Sequence, residues 1–115
     1  MTAYVNERLE TYSTIILSGE TESSKIDSIG KILVGIITPS ALTSTSFTIQ
    51  VSLKGSETVF RDYYNAQGDL VTITVGVDRH IGIIPADFAN TRFFRLVGSG
   101  AEGDDREIKL ILRGM

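Results

Sequence analysis

The sequence predicts an all-β fold, an antiparallel β-sandwich or jelly roll of about eight strands. Short segments in which apolar and polar residues alternate recur along the chain, and Gly, Ser, Asn and Asp separate them. This is the pattern of strands with one buried face. The clearest segment is Ser46-Phe-Thr-Ile-Gln-Val-Ser52, which we expect to be a central strand. The 115 residues predict one domain, because they suffice for a single core and not for two ordinary ones.

The first third of the chain predicts an arm and three strands. Residues 1–13 are expected to form an N-terminal arm, since termini are often poorly ordered, and residues 14–115 a single β-sandwich domain. Strands are expected at residues 14–18, at 24–29 as a short or bulged segment, and at 31–37. The run Lys31-Ile-Leu-Val-Gly-Ile-Ile37 is nearly all apolar, which favours a strand buried on both faces. Pro39 ends it, because proline lacks the N–H that a ladder needs.

The remainder of the chain alternates strands with turns. After the central strand, a turn around Gly55 leads to a returning strand at residues 58–64, and Gly68 supplies a positive φ for the next turn. Further strands are expected at residues 70–77, 80–84, 91–97 and 107–113.

One helical turn is expected among these strands. Pro85-Ala-Asp-Phe-Ala-Asn90 begins with a residue that is tolerated at a helix start, and Phe88 would anchor the turn in the core. In two strands, alternation predicts which residues share a face: Val71, Ile73 and Val75, and then Ile108, Leu110 and Leu112.

Composition and charge exclude several classes of partner. No segment approaches the run of about 18 apolar residues that a membrane span requires, and the first residues lack the pattern of a secretory signal. We therefore expect no membrane association and synthesis in a cytoplasm. The chain has no Cys, which excludes disulfides and thiolate chemistry. Eleven Lys and Arg against fourteen Asp and Glu give a net charge of -3, which disfavours nucleic acid because phosphate binding needs a concentrated basic surface.

Two motifs resemble catalytic or cofactor sites in letters only. His80 is the single imidazole, and it lies beside Asp78 at an expected strand edge, without the strand-turn-helix that presents a serine nucleophile. Gly98-x-Gly-x-x-Gly103 matches the dinucleotide fingerprint, but a strand rather than a helix is expected after it. We therefore interpret His80 as a structural or surface residue and the glycine pattern as an accidental match.

The acidic residues suggest two further kinds of site. Glu102, Asp104 and Asp105 lie in a glycine-rich loop and offer the oxygen ligands that Ca²⁺ prefers. Their spacing does not match an EF-hand, so a solvated acidic turn is the preferred interpretation. Two carboxylate pairs are candidates for glycoside hydrolysis on paper: Glu20 with Glu22, and Asp62 with Asp69. We expect no enzyme activity, no catalytic or metal-binding residue and no cofactor.

Two pairs of adjacent aromatic residues are the candidate contacts with an interface or a glycan: Tyr63, Tyr64, Phe93 and Phe94. Because consecutive strand side chains point to opposite faces, one member of each pair is expected in the core and the other on a second face. Exposed aromatics on a sandwich stack on sugar rings or anchor protein interfaces. Strands that are apolar on both faces, at residues 31–37 and 91–97, predict that a partner subunit covers part of a sheet.

Several segments, in order, resemble a family of small tailed-phage virion proteins of the capsid decoration or cement type. They are Ser18-Gly-Glu-Thr-Glu-Ser-Ser-Lys-Ile-Asp27, Leu33-Val-Gly-Ile-Ile-Thr-Pro39, Ser46-Phe-Thr-Ile-Gln-Val-Ser52, and Arg79-His-Ile-Gly-Ile-Ile-Pro-Ala-Asp-Phe-Ala89 followed by Arg92-Phe-Phe-Arg-Leu-Val97. The resemblance covers about residues 14–113.

The resemblance implies a β-sandwich that acts as a structural protein of a bacteriophage. Such a protein is made in the host cytoplasm, lies on the capsid surface of the virion, binds the major capsid protein and stabilises the head shell. The resemblance also implies a homo-oligomer, expected to be a trimer. The polar arm from Met1 to Tyr12 is a hypothetical contact across a subunit boundary that orders on binding.

Residues 46–97 are also similar to discoidin-like, galactose-binding sandwiches. In those proteins a strand ending in Val-Ser precedes a turn and an aromatic, and a later strand carries an aromatic-Arg-Leu pattern. The chain departs from this pattern because Leu-Lys-Gly-Ser follows Ser52, and Trp and Cys are absent. The alternative function is a virion adhesin or carbohydrate-binding module, in which Tyr63, Tyr64 or the loop at residues 102–105 contacts a glycan.

Overall fold

Two antiparallel β-sheets form the fold in a computed structural model that describes residues 9–56 and 58–114. The predicted all-β sandwich is confirmed. Nine strands lie in the described residues: β1 (Leu9–Ile16), β2 (Ile26–Asp27), β3 (Lys31–Ile37), β4 (Ser46–Ser52), β5 (Arg61–Asp62), β6 (Thr72–Thr74), β7 (His80–Gly82), β8 (Phe93–Gly98) and β9 (Arg106–Gly114). The first sheet has the order β1-β9-β3-β7. In the second, β2 and β8 lie on one side of β4, and β5 and β6 pair with its other edge.

The predicted central strand is confirmed, because β4 pairs on both edges. It lies antiparallel to β8 from Phe47 to Ser52, and its inward residues Phe47 and Ile49 are fully buried. Alternation also predicted the inward faces of other segments correctly, since the following are all buried: Val71, Ile73, Val75, Ile108, Leu110 and Leu112. Burying one such aliphatic side chain contributes roughly 1.5–3 kcal/mol, so these inward faces hold the two sheets together.

The expected helical turn is confirmed as a 3₁₀ turn, Pro85–Phe88. Phe88 is buried and makes an edge-to-face contact with Phe94, with ring centroids 5.7 Å apart. An edge-to-face pair adds about 0.5–1.5 kcal/mol beyond area burial. The turn therefore anchors the segment between the two sheets.

The first strand begins earlier than predicted. It starts at Leu9 rather than Thr14, so residues 9–13 of the expected arm pair with β9, and residues 1–8 lie outside the described residues. The prediction was wrong because residues 9–13 are exposed and lack a clear apolar alternation. Pairing with β9 across eight residues, which is a long-range interaction, extends the strand.

Two other strands are shorter than predicted. The returning strand was expected at residues 58–64 and the next at 70–77, but β5 and β6 span two and three residues. Both lie end to end along the same edge of β4, β5 beside Gln50 and Val51, and β6 from Ser46 to Thr48. β5 cannot extend beyond Asp62, nor β6 before Thr72, without displacing the other, since one edge offers one set of hydrogen-bonding groups.

Lys31–Ile37 is confirmed as a strand, with a register shift between Leu33 and Gly35. Its outward side is only partly covered. A Cβ at Gly35 would lie 3.3 Å from the Ile111 side chain and 3.6 Å from the His80 imidazole. These two side chains therefore fold over the glycine and shield that face of β3. No helix in the described residues is long and apolar enough to cross a membrane.

Candidate functional site

Of the four predicted contact residues, one member of each adjacent pair lies in or at the edge of the core and the other lies on the surface, as strand alternation predicts. Phe94 is fully buried in the core, and Tyr63 is partly buried at the core edge with its ring 6.5 Å from that of Phe88. Tyr64 is 54% exposed, and Phe93 is half-buried on the outer face of the second sheet. Phe94 thus presents no surface to a partner. The candidate contacts that remain accessible are Tyr63, Tyr64 and Phe93.

Tyr63 and Tyr64 line an open cleft of about 410 Å³. Its walls come from the turn after β5 and from the 3₁₀ turn before β8: Tyr63, Tyr64, Asn65, Ala66, Gln67, Ala86, Asp87 and Asn90. The Asn65 Oδ1 atom accepts hydrogen bonds from the backbone N–H of Gln67 and of Asp69, both at 3.0 Å. Gly68 has φ +85° in the same turn, as predicted. Asn65 thereby fixes the wall that carries Gln67.

The chemistry of this cleft suits a polyhydroxylated ligand. Burial, and then the nearby Asp87 carboxylate, raises the pKa of the Tyr63 hydroxyl, so that it remains a hydrogen-bond donor at neutral pH. The Tyr64 ring offers an exposed apolar face, while Gln67 and Asn90 offer carboxamides. Sequence analysis selected the two tyrosines but missed Asp87 and Asn90, because these lie more than 20 residues further along the chain and only the 3₁₀ turn brings them near.

Phe93 is covered by a cation. The Arg92 guanidinium lies 4.5 Å from the centroid of its ring, and the Phe93 ring also contacts Gly55, where an added Cβ would come within 3.1 Å. Arg92 in turn pairs with Asp27 at 3.0 Å. Phe93 therefore joins three segments at one end of the sandwich, and only part of its ring faces solvent.

A polar ladder crosses the outer face of the second sheet. The Gln50 carboxamide accepts from Arg95 Nε at 2.9 Å and donates to Asp62 Oδ1 at 3.1 Å, and Arg95 also lies 4.2 Å from the centroid of the Phe60 ring. The Asp62 carboxylate is therefore part of this side-chain network. No local pattern in the sequence predicts this network, because it depends on the register of three strands.

Glu102 is the one fully buried carboxylate among the described residues. Its two oxygens accept hydrogen bonds from Thr43 N at 2.8 Å, Ser44 N at 2.9 Å, Ser44 Oγ at 3.0 Å and Arg106 Nε at 3.1 Å. Burial on its own raises the pKa of Glu102, but these hydrogen bonds outweigh it and hold the pKa below its ordinary value of 4.5. Glu102 thus joins the loop before β4 to the loop before β9.

Of the other acidic candidates, Glu20 and Glu22 line one open cleft together with Arg95. Asp105 Oδ1 accepts from Ser18 N at 2.9 Å, so that carboxylate and the Glu102 carboxylate hold different loops. In residues 9–56 and 58–114, no three His, Asp or Glu side chains are grouped so that they could hold a metal ion. The segment after Gly103 is β9, a strand as expected, and Asp78 occupies a turn with φ +52° beside the exposed His80.

The exposed apolar side chains of residues 9–56 and 58–114 include two groups. One is β1 with the residue just after it, where Leu9, Tyr12, Ile15 and Leu17 are exposed at the margin of the first sheet. The other, which we call the loop tip, consists of Ile29, Leu53 and Val59 at one end of the sandwich. Exposed apolar groups of this kind mark interaction surfaces.

The chain was compared with protein-family models, curated proteins and solved structures, and no match was found among them.

Proposed function

We propose that the chain is a structural protein of a bacteriophage particle, a capsid decoration (cement) protein that binds the major capsid protein on the outside of the head and stabilises the shell. It is made in the host cytoplasm and acts as a homo-oligomer, for which the sequence resemblance implies a trimer. The resemblance of residues 14–113 to small virion proteins supports this proposal. The two-sheet sandwich supports it as well, because a decoration protein needs a rigid body with an accessible docking surface.

The observation that carries the proposal is the loop tip. Ile29 is 58% exposed, Leu53 83% and Val59 57%. The loops of Ile29 and Leu53 are neighbours, because Asp27 pairs with Phe93, which pairs with Ser52. Val59 lies two residues before Arg61, which pairs with Val51 near the end of the same strand. The Lys25 ammonium also donates a hydrogen bond to the Gly55 carbonyl. Three apolar side chains therefore project from one end of the molecule, where the shell would bury them.

Binding to shells assembled without this chain tests the proposal. Wild-type protein is expected to co-sediment with such shells to saturation and to raise the temperature at which they disrupt. A double variant, Ile29→Ser with Val59→Ser, is expected to lose at least tenfold in affinity, because it removes two buried apolar contacts.

The matched control is Val77→Ser. Val77 is exposed to a similar degree but lies at the opposite end of the sandwich from Ile29. Its neighbour Asp78 donates a backbone hydrogen bond to the Pro39 carbonyl, just after the end of β3, whereas Ile29 lies just before the start of that strand. The control should bind shells as the wild type does. Failure of the wild type to bind would contradict the proposed function, and equal binding by both variants would show that the loop tip is not the docking surface.

A second candidate function is favoured by one observation, the cleft that contains Tyr63 and Tyr64. Its exposed ring, carboxylate and carboxamides are the groups that bind sugar hydroxyls and the apolar face of a pyranose. A carbohydrate-binding virion adhesin would bind a component of a glycan array and lose that binding in Tyr64→Ala. Tyr12→Ala, which removes a ring of comparable exposure from β1, is the control and should retain it.

A further inference from the structure

Within residues 9–56 and 58–114, the outer edge of β1 in the first sheet has no strand paired along most of its length. β1 is an edge strand of eight residues that pairs with β9 along its whole length. On its other side, Ser24 covers only the end of the strand, where its backbone N–H donates to the Ile15 carbonyl at 3.0 Å and its hydroxyl accepts from Ile15 N at 3.4 Å. The backbone groups of Ile15 therefore point away from β9.

The backbone N–H and C=O groups of Leu9, Thr11 and Ser13 also point away from β9. In an antiparallel ladder, residues alternate between those whose N–H and C=O face one neighbour and those that face the other. Leu9, Thr11 and Ser13 thus direct three N–H and three C=O groups towards the open side. All three residues are exposed, and none is charged.

The devices that usually protect an edge are missing from this part of β1. Proteins block edges with proline, bulges or charged side chains that face the incoming strand. The segment from Leu9 to Ser13 has no proline, its pairing with β9 has no register shift, and the charge of Glu10 is paired with Lys31 at 3.3 Å. Tyr12 donates to the Glu10 carboxylate at 2.6 Å and accepts from Lys31 at 3.1 Å, so the charges beside the edge are balanced within the chain.

We propose that β1 pairs antiparallel with β1 of a second copy of this chain about a two-fold axis at Thr11. In this register Thr11 lies opposite Thr11 of the second copy, and Leu9 opposite Ser13 of the second copy. All three open residues of each chain then form hydrogen-bonded pairs. Ser24 already covers Ile15, so the pairing involves only residues 9–13 of each chain.

The side chains support a second copy as the occupant. Leu9 is 39% exposed and Ile15 44% exposed, and both lie on the outer face of the first sheet. Leu9 of the second copy lies opposite Ser13 and is therefore the diagonal neighbour of Ile15. Diagonal neighbours on adjacent strands are about 7–8 Å apart, a separation that long side chains bridge. The pairing therefore covers two exposed apolar side chains of each chain and joins two four-stranded sheets into one of eight strands.

The inference concerns only the homo-oligomer part of the proposed function and does not involve the loop tip. The contact makes a dimer, whereas the sequence resemblance implies a trimer. Light scattering on the wild type across a dilution series is expected to give twice the chain mass of 12.5 kDa at high concentration. Thr11→Pro is expected to give the monomer mass at every concentration. Its thermal midpoint should equal that of the wild type at dilutions where the wild type is monomeric, because the lost N–H faces away from β9. Thr11→Ser keeps that N–H and should remain dimeric.

Cysteine cross-linking tests the register even if the proline variant fails to fold. The chain has no Cys, so Thr11→Cys introduces one thiol at the two-fold axis. Residues in a hydrogen-bonded pair have Cα atoms about 5.5 Å apart, within the disulfide range. Mild oxidation is expected to convert Thr11→Cys to a covalent dimer. Ser13→Cys, whose two copies would be about 14 Å apart along the strands, should remain uncross-linked.

Three results would overturn the inference. They are a wild type that is monomeric at every concentration, a trimer that persists in Thr11→Pro, and equal cross-linking of both cysteine variants. Shell binding separates this inference from the proposed function. A dimer that fails to bind shells contradicts the function alone, and a monomer that binds them contradicts the pairing alone.

Discussion

Replacing Glu102 with Gln is expected to destabilise the protein strongly, and the structure gives the reason. Oε1 accepts from Thr43 N and Arg106 Nε, while Oε2 accepts from Ser44 N and Ser44 Oγ. A glutamine places an NH₂ group at one of these two positions, so it opposes at least one backbone donor whichever way the amide turns. Arg106, whose side chain is only 18% exposed, also loses its counter-charge.

The expected loss in free energy of unfolding is about 3–5 kcal/mol. Removing one partner of a buried ion pair costs this much because the remaining charge stays buried and uncompensated. Domains of this size have a total stability of about 5–15 kcal/mol, so the variant would lie near the limit of folding. The four hydrogen bonds form one network, and their separate energies do not add.

Urea unfolding followed by circular dichroism measures the effect. Glu107→Gln is the matched control, because Glu107 is an exposed carboxylate on β9 and surface substitutions usually change stability by less than about 0.5 kcal/mol. A loss below about 1 kcal/mol in Glu102→Gln would refute the argument, since an ordinary surface carboxylate could account for it.

Three further predictions concern the titration of Glu102, the packing at Gly98 and the burial of Phe88. The pKa of Glu102 lies below 4.5 in the folded protein, so the ionised carboxylate stabilises the fold above pH 4.5 and this stabilisation is lost as the pH falls below that value. In urea unfolding at decreasing pH, the stability difference between the wild type and Glu102→Gln should therefore shrink. Gly98→Ala, whose Cβ would overlap the Ser44 hydroxyl, should cost about 1–3 kcal/mol in urea unfolding, whereas Gly82→Ala, with nothing within 4 Å, should be near neutral. Phe88→Ala should cost about 3–5 kcal/mol by the same measurement, and a smaller loss would show that the 3₁₀ turn is not an anchor.

The local pattern of the sequence predicted the strands that dominate the two sheets. Period-two alternation identified β4 and β9 together with their inward residues, and Pro39 and Gly68 identified where strands give way to loops or turns. These signals are contained within a few neighbouring residues, because strand geometry fixes the direction of alternate side chains.

The features that the sequence could not predict depend on distant partners. The extension of β1 to Leu9 comes from pairing with β9, more than 90 residues away. β5 ends at Asp62 and β6 begins at Thr72 because the two strands share one edge of β4. The sequence predicted Glu102 to lie in a solvated acidic turn, because the backbone N–H groups that bind its carboxylate lie 58 and 59 residues before it. The tyrosine cleft was predicted only in part, since Asp87 enters it through the 3₁₀ turn.

Electron cryomicroscopy of purified particles produced from the genome that encodes this chain tests the proposed function most directly. The account predicts density for a two-sheet domain on the outer surface of the head, in fixed proportion to the major capsid protein, with the turn that carries Ile29 against the shell. Heads without such density, or density for this domain at the tail tip instead, would contradict the assignment as a capsid decoration protein.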